Sequence, residues 1–402
     1  TATKNRSNSS KSWVYRVYRA GLLLFALAVI AFFFLAPDLV AWRMNTVHTA
    51  PPYPHNDATE NLYARLFIAD LHADTLLWNR DLLQRGHYGH IDLPRLLEAN
   101  TGIQVFSAVT KTPRGINFER NDASSDNITP LVIAQRWPWR TWDSLTERAL
   151  HQANRLRQLA DRSAGRFVVI RSRADLDDYV DRRRNDAKLT AGILALEGLH
   201  ALDGDLGNLI RLNNAGFRMM GLTHFFDNAI GGSVHGVSKG GLTNFGRAVI
   251  NEMEQLGIII DLAHASPQLV ADVLETASTR VVVSHTGVKG TCARTRNLSD
   301  QQLRAIGKNG GLVGIAFFEE AICGTDVGAI VRAIRYTANL IGVDHVALGS
   351  DFDGAVTTPF DVTGLRQLTT SLVHDGFSPA DVEAIMGGNV VSLLKHALPK
   401  GQ

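Results

Sequence analysis

The stretch with the clearest capacity for chemistry runs from Phe67 to Thr75. An apolar, strand-like run ends there, and His72 and Asp74 follow it two residues apart. Side chains at this spacing in an extended chain share a face, so the imidazole and the carboxylate point the same way. Both groups are common ligands of a zinc-like dication. A salt-bridged pair would have the same spacing, so this motif alone leaves metal binding and an ion pair open.

Titratable residues also follow five other apolar runs, namely Glu197, His224, His264, His285 and Asp351. A single buried histidine is most simply explained as a core residue with a satisfied hydrogen bond. Stability alone, however, would not place seven titratable groups at the ends of six such runs. We therefore interpret the set as a functional site.

The composition of this set favours two metal ions over one. A carboxylate has two oxygens, so Glu197 can bridge a metal pair about 3.5–4 Å apart. His72 and Asp74 would complete the site of one metal, and His264 and His285 the site of the other. Two dications are offset by the three carboxylates and a bridging hydroxide, and a near-neutral cluster is tolerated in a partly dry pocket.

The remaining groups suit proton transfer and charge stabilisation. Asp351 is better placed as a proton shuttle than as a ligand, because it can pass a proton from the attacking water to a leaving amine. His224 can donate a hydrogen bond to an oxyanion as negative charge develops. Two further histidines, His200 and His235, lie on the predicted rim loops and are expected at most to support these groups.

The elements that must position these residues are eight apolar runs, at 67–71, 103–109, 192–196, 218–223, 257–262, 280–284, 312–317 and 345–349. Amphipathic segments between them include Asn244–Gln255, Pro267–Thr276, Ser299–Lys308 and Val327–Leu340. This alternation implies parallel strands, and eight strands predict an α/β (β/α)8 TIM-type barrel with insertions rather than a doubly wound sheet. The carboxyl ends of the strands then converge on one rim, where catalytic groups sit.

The N-terminus has the composition of a membrane segment. Residues 20–36 carry no charge, and the apolar stretch can be extended to Trp42. Five basic residues and no acid lie within residues 1–19, so the positive-inside rule predicts a cytoplasmic tail there. We expect a single transmembrane anchor at 20–42, a tether at 43–62 and a catalytic domain at 63–402 outside the cytoplasm, periplasmic or extracellular. A cleaved signal peptide is the alternative interpretation of the anchor.

The charge of the chain argues against nucleic acid as a partner. The formal net charge is +2, but the basic tail accounts for five positive charges, so the remainder of the chain is mildly acidic. Nucleic-acid binding requires a basic face. Two cysteines, Cys292 and Cys323, are too few for a disulfide scaffold, and by number alone they could be two thiols or one bridge.

Taken together, the motifs resemble those of the membrane (renal-type) dipeptidases, within the amidohydrolase-like metal-dependent barrels. The similarity runs from about Ala69 to Leu394. Its motifs are His72-x-Asp74, Glu197-Gly198, Leu222-Thr223-His224, Gly241-Leu242-Thr243-x-Phe245-Gly246, Asp261-Leu262-Ala263-His264, Ser284-His285, Arg296-Asn297 and Gly349-Ser350-Asp351-Phe352-Asp353-Gly354.

The resemblance implies a zinc-dependent dipeptidase with two Zn²⁺ per chain, and it assigns the metal ligands as the chemistry above does. It implies that His224 and Arg296 contact the substrate or the tetrahedral intermediate, and that Asp351 acts on the water and the leaving group. It also implies a dipeptide substrate, tolerance of a C-terminal D-residue, a homodimer, and a disulfide between Cys292 and Cys323.

One departure and two alternatives accompany this interpretation. Phe317-Phe318-Glu319-Glu320 stands where relatives have a phenol-bearing loop, and we expect its acidic pair to disfavour a substrate carboxylate nearby. A related dinuclear hydrolase of another amide or a lactam is the first alternative, although such relatives often have a carboxylated lysine where this chain has Glu197. A non-catalytic anchored binding protein is the second, although no ligand or shuttle acid is missing.

Overall fold

The computed structural model describes residues 6–54 and 56–401, and its centre is a closed barrel of eight parallel strands. The strands are β1 (Ile68–Asp70), β2 (Thr101–Val109), β3 (Thr190–Glu197), β4 (Phe217–Gly221), β5 (Ile259–Asp261), β6 (Val282–Thr286), β7 (Leu312–Ile315) and β8 (Val346–Leu348). Each strand pairs with the next, and β8 pairs with β1 to close the barrel. The predicted TIM-type architecture is confirmed, and each predicted strand-like run overlaps one barrel strand.

Helices surround the barrel. They span Asp57–Arg65, Leu93–Glu98, Ile128–Ala134, Leu145–Arg162, Arg173–Asn185, Gly207–Ala215, Asn244–Gln255, Pro267–Thr276, Asp300–Asn309, Glu319–Ile322, Val327–Ile341, Leu365–His374, Pro379–Glu383 and Asn389–Ala397. Short 3-10 turns lie at Thr75–Leu77, Trp139–Thr141, Leu199–Leu202, Val343–His345 and Val362–Gly364, and a π-helical turn lies at Ala384–Gly388. Two small strands, Thr46–Val47 and Thr357–Thr358, pair with each other, and Phe167–Val169 pairs with the start of β3.

Local sequence explains where the predicted amphipathic helices begin. Thr243, Ser266 and Asp326 each accept a hydrogen bond from a backbone N–H of the first turn that follows. Ser299 and Gln302 form a capping box at the start of Asp300–Asn309. Such caps satisfy N–H groups that have no partner within the helix. These helices fill the connections between consecutive parallel strands, as the alternation predicts.

The core has two layers, because successive residues of a strand point to opposite faces. Val283 of β6 and Ile260 of β5 belong to the larger buried cluster, which includes residues of the surrounding helices. Their neighbours Val282 and Ile259 belong to a second buried cluster built mainly from strand residues. The barrel is therefore packed on both faces and holds the ends of its strands rigidly.

The N-terminal part contains the one stretch of the described residues that is long and apolar enough to cross a membrane, Ser12–Phe34. It lies within the helix Arg6–Phe34, and it is not buried by the rest of the chain. An anchor and a signal sequence both have these properties. A second helix, Ala36–Met44, begins directly after it with a proline in its first turn, where the missing N–H costs no hydrogen bond. Of the predicted basic tail, residues 1–5 lie outside the described residues.

The segment predicted as a tether, 43–62, contacts the barrel domain. Thr46 and Val47 pair in parallel with Thr357 and Thr358. The helix Asp57–Arg65, which begins within this segment, packs against Leu365–His374. The predicted domain boundaries stay predictions.

Candidate metal and catalytic site

Seven predicted side chains come together at the carboxyl ends of the barrel strands. His72 and Asp74 follow β1, Glu197 is the last residue of β3, and His285 lies near the end of β6. His224, His264 and Asp351 each lie three residues beyond the end of β4, β5 and β8. All seven are buried. The register of the parallel strands, which no local pattern specifies, brings these distant positions onto one rim.

The carboxylate of Glu197 is the centre of the cluster. Its Oε1 lies 3.1 Å from His264 Nε2, 3.5 Å from His72 Nε2 and 3.6 Å from His285 Nε2. Its Oε2 lies 3.3 Å from His224 Nε2. Four imidazoles from four strand ends therefore surround one carboxylate, which is the position that a bridging ligand requires.

The two aspartates approach the cluster from the side of His72. Asp74 Oδ1 lies 3.3 Å from His72 Nε2, and Asp351 Oδ1 lies 3.9 Å from the same nitrogen. Three overlapping groups have their ligand atoms within 4.8 Å of one another: His72, Glu197 and His285; Glu197, His224 and His264; and His72, Asp74 and Asp351. By distance, His224 and Asp351 are as close to the cluster as the five predicted ligands.

Burial sets the protonation of the histidines around Glu197. It lowers the pKa of His224, His264 and His285 well below the usual value, which favours the neutral imidazole that a metal binds. Burial lowers the pKa of His72 as well, but the charges of Asp74 and other carboxylates outweigh it and raise this pKa to about 10. The site therefore has a strongly negative potential around His72, which a cation would offset.

The carboxylates respond to the same burial in the opposite direction. Burial raises the pKa of Glu197 well above its usual value, and the negative charge of Asp74 adds to the effect. Burial likewise raises the pKa of Asp351 to about 7. Acids with pKa values raised in this way are typical of functional sites, because no fold gains stability from crowding carboxylates in a dry pocket.

The donor atoms fit one or more metal ions. His72 Nε2, Asp74 Oδ1 and Glu197 Oε2 are buried and have no hydrogen-bond partner. Leaving such atoms unpaired costs free energy unless something else satisfies them. Imidazole nitrogens and carboxylate oxygens are ligands of zinc and similar dications, so a bound cation is the simplest partner for all three.

Ser284 positions two of the histidines, a role that the sequence did not reveal. Its Oγ lies 3.1 Å from His72 Nδ1 and 3.0 Å from His285 Nδ1. A hydroxyl oxygen can accept two N–H donors, which leaves both Nε2 atoms free to face the cluster. The backbone N–H of Ser284 donates to Asp261 Oδ1 in the neighbouring strand and fixes the hydroxyl in turn. The only sequence signal was the Ser284–His285 pair, which is one of the motifs of the family resemblance but gave the serine no role of its own.

A second supporting network holds the loop that carries Asp351. Asp70, at the end of β1, accepts hydrogen bonds from the backbone N–H and the hydroxyl of Ser350. Asp353 accepts from Thr75 Oγ1 and from the backbone N–H of His90. Asp351 therefore lies between Ser350 and Asp353, both of which are held by hydrogen bonds.

The backbone is in the left-handed region at two site residues. His264 has φ 61° and Asp351 has φ 62°. Residues with a Cβ rarely adopt this conformation, and it persists where the surroundings impose it, often at functional sites. In both cases the residue lies in the loop that follows a barrel strand, and its side chain reaches the cluster, His264 at Glu197 and Asp351 at His72.

Arg296 supplies a cation beside the cluster. Its guanidinium lies 4.8 Å from the ring centre of Phe318, and its buried Nε and Nη1 have no hydrogen-bond partner. Burial lowers the pKa of Arg296 to about 10, which leaves it charged at neutral pH. It also lines the cavity above the cluster, so the two free N–H groups are suited to an anionic ligand group.

The loop around Phe318 differs in part from the sequence-based expectation. Phe318 lines the cavity, whereas Glu319 and Glu320 are exposed at the start of a short helix and do not line it. Their carboxylates therefore do not crowd a ligand, although the charge of Glu320 still raises the pKa of Arg296 slightly against the effect of burial. Cys292 and Cys323 are joined by a disulfide, as the resemblance implies, and it links the loop that precedes Arg296 to the loop that follows Phe318.

A cavity of about 510 Å³ opens above the cluster. Asp74, Glu197, His224, His264 and Asp351 contribute to its lining. The volume lies within the range of small-molecule binding sites.

Comparisons with known proteins agree with this geometry. A family model described as membrane dipeptidase (peptidase family M19) matches residues 56–399. Dipeptidase aclJ of Aspergillus oryzae is 28% identical over 361 residues, which cover 85% of this chain and 80% of that protein. An uncharacterized Klebsiella pneumoniae protein from the pqqA 5′ region is 35% identical over 257 residues, which cover 60% of this chain and 93% of that protein.

Solved structures show the same architecture. Dipeptidase AC, a metallopeptidase of family M19, is 25% identical with a TM-score of 0.68, and the match covers 83% of this chain and 99% of that one. A Rhodobacter sphaeroides metallopeptidase bound to a phosphinate mimic of the dipeptide L-Ala-D-Ala is 24% identical with a TM-score of 0.66, covering 83% and 99%. The probable dipeptidase PvdM of Pseudomonas aeruginosa is 19% identical with a TM-score of 0.70, covering 85% and 97%.

Proposed function

The chain belongs to the membrane dipeptidase family, peptidase family M19, and from this premise we propose that it is a membrane-anchored dipeptidase that uses two zinc ions. The observation that carries the proposal is the cluster around Glu197, in which four imidazoles lie within 3.6 Å of one carboxylate at the floor of a cavity. A single metal would leave part of this donor set unused.

The proposed ligands are those that the sequence predicts. His72 and Asp74 would hold one zinc, His264 and His285 the other, and Glu197 would bridge them. When bound, such a pair lowers the pKa of a water molecule and polarises the carbonyl that the water attacks. Ser284 supports the assignment, because its contacts with both Nδ1 atoms turn His72 Nε2 and His285 Nε2 toward the cluster.

Three further residues would act on the substrate. Asp351 is proposed to take a proton from the attacking water and to deliver it to the nitrogen of the leaving amine. Burial raises the pKa of Asp351 above its usual value, which suits a group that must both accept and release a proton. His224 is proposed to donate a hydrogen bond to the developing oxyanion, and Arg296 to bind the carboxylate of the dipeptide through its free N–H groups.

The N-terminal helix supports the membrane and compartment parts of the proposal. Ser12–Phe34 is long and apolar enough to span a bilayer, and the basic residues precede its apolar part. By the positive-inside rule the catalytic domain would lie outside the cytoplasm. An oxidising compartment of that kind suits the Cys292–Cys323 disulfide. Tolerance of a C-terminal D-residue is proposed on the family resemblance.

A substrate panel on the full chain tests the function. We expect hydrolysis of L-Ala-D-Ala and L-Ala-L-Ala, at least tenfold slower hydrolysis of N-acetyl-L-Ala-D-Ala, whose free amino group is missing, and no opening of a simple lactam. The measurement is kcat/KM for each compound in zinc-containing buffer. Turnover of the acetylated compound or the lactam without turnover of either free dipeptide would contradict the proposal and favour a related amide hydrolase.

A further inference from the structure

The N-terminal helices form part of the wall of the active-site cavity. Phe32, near the end of the apolar helix Arg6–Phe34, lines the cavity that holds the cluster around Glu197. So do Pro37, Val40 and Met44 of the helix Ala36–Met44. The cavity is therefore not built by the barrel alone, and residues of the predicted anchor segment 20–42, together with Met44, complete it.

The two sources of lining residues differ in polarity. The ionisable groups come from the barrel and its loops, whereas every residue that the N-terminal helices contribute is apolar. Phe32, Val40 and Met44 are 39%, 38% and 41% exposed, and Ile116, which follows β2 and belongs to the same lining, is 40% exposed. Exposed apolar side chains that line one cavity provide surface that an apolar ligand group can cover.

The helix Ala36–Met44 is fixed to the loop that follows Asp351. Asn45 is buried, its amide nitrogen donates to Ala41 O, and its Oδ1 accepts from the backbone N–H of Ala355. The backbone N–H of His48 donates to Thr358 O and continues the pairing of the two small strands.

A buried histidine joins the same two segments. His90 Nε2 contacts Thr46 O at 2.8 Å, and His90 Nδ1 accepts from the backbone N–H of Asp353 at 2.8 Å. Because one ring can donate only through the nitrogen that carries the proton, these contacts fix a single tautomer with the proton on Nε2. The wall and the loop that carries Asp351 are therefore positioned as one unit.

We propose that the helix Ala36–Met44 determines substrate specificity, and that Val40 and Met44 favour dipeptides with a large apolar side chain over dipeptides of small residues. The inference rests on the proposed dipeptidase function. A dipeptide of two alanines would contact the polar groups at the floor and leave the apolar wall uncovered. A phenylalanine or leucine side chain would cover Val40 and Met44 and gain the free energy of apolar burial.

The test compares full-length variants in detergent or nanodiscs. Val40→Asn and Met44→Gln keep the side-chain volume approximately and add no charge next to the cluster, and the double variant combines them. Leu39→Asn is the matched control, because Leu39 is an exposed apolar residue of the same helix that does not line the cavity. The readout is the ratio of kcat/KM for Ala-Phe, and separately for Phe-Ala, to kcat/KM for Ala-Ala, which cancels differences in metal loading.

We expect the double variant to lower this ratio about tenfold for at least one position of the phenylalanine. The control should keep the wild-type ratio. Unchanged ratios in both single variants and in the double variant would overturn the inference and leave the dipeptidase function intact. A fall of the ratio in Leu39→Asn equal to that in the double variant would have the same meaning. Absence of all dipeptide turnover in the wild-type chain would instead contradict the proposed function itself.

Discussion

Asp351→Asn is expected to lower kcat for dipeptide hydrolysis by about 10²–10⁴-fold while the chain keeps its bound metals. Asparagine has the shape of aspartate but cannot accept and release the proton that the reaction must move. Asp351 Oδ1 lies 3.9 Å from the nearest imidazole nitrogen, His72 Nε2, whereas Glu197 Oε1 approaches three imidazoles within 3.6 Å. Asp351 also belongs to a group of possible ligands with His72 and Asp74, so the metal content of the variant decides between a proton carrier and a ligand.

The experiment measures kcat for L-Ala-D-Ala and the metal content of the same preparation. Asp344→Asn, a substitution of an acid outside the cavity lining, is the control and should change neither quantity. Loss of metal from Asp351→Asn in parallel with activity would identify Asp351 as a ligand and contradict its assignment as the proton shuttle. Full activity with full metal content would remove it from the mechanism.

Glu197→Gln is expected to release both metals together and to abolish turnover. A bridging ligand serves two ions, and the amide that replaces it carries no negative charge and offers only one good donor oxygen. The neutral histidines His264 and His285 would then provide one metal with no anionic ligand of its own. Both ions should therefore bind more weakly. The loss of a ligand that does not bridge would weaken the binding of only one ion.

Metal content per chain, measured after dialysis, tests this assignment. Glu319→Gln is the matched control, because Glu319 is an exposed glutamate that does not line the cavity. The control should retain the wild-type metal content. Two metals per chain in Glu197→Gln would rule out the bridge, and the loss of only one would make Glu197 a ligand of a single ion.

The barrel and the ligand cluster could be predicted because their signals are local. Each barrel strand is a short apolar run, and a titratable residue after such a run stands out against its neighbours, as Glu197 does after Leu194-Ala195-Leu196. The parallel topology then places the carboxyl ends of all the strands on one rim, although the exact register of the strands is not specified by any local pattern. The helices Asn244–Gln255 and Pro267–Thr276 were predictable to the residue because each follows a capping residue.

The parts that the sequence did not reveal depend on contacts between distant segments. Ser284 and His90 have ordinary local surroundings, and only the fold brings Ser284 to His72 and His90 to Asp353. Residues 36–42 of the helix Ala36–Met44 were predicted from their composition as the end of a membrane span. The place of this helix in the cavity wall follows from the pairing of Thr46 with Thr357, two residues 311 positions apart. The hydrophobic periodicity of a sequence does not indicate which residues pair when they lie so far apart along the chain.

The proximity of Glu319–Glu320 to the cavity was overestimated for a related reason. The family resemblance, in which a phenol-bearing loop stands at this position, suggested that the acids would lie near the substrate pocket, but of these residues Phe318 lines the cavity and the two acids do not. The chain instead turns into the short helix Glu319–Ile322 at this point, and both carboxylates are exposed at its N-terminus. Acidic residues in the first turn are favoured there by the helix dipole.

The most direct test of the central claim is a zinc titration of the metal-free full chain. Metal is removed with a chelator, zinc is added in measured equivalents, and bound zinc and L-Ala-D-Ala hydrolysis are followed together. We predict no hydrolysis without metal and a rise that reaches its plateau at two bound zinc ions per chain. Full activity in the metal-free chain would contradict the metallopeptidase chemistry, and a plateau at one bound ion would contradict the two-metal site.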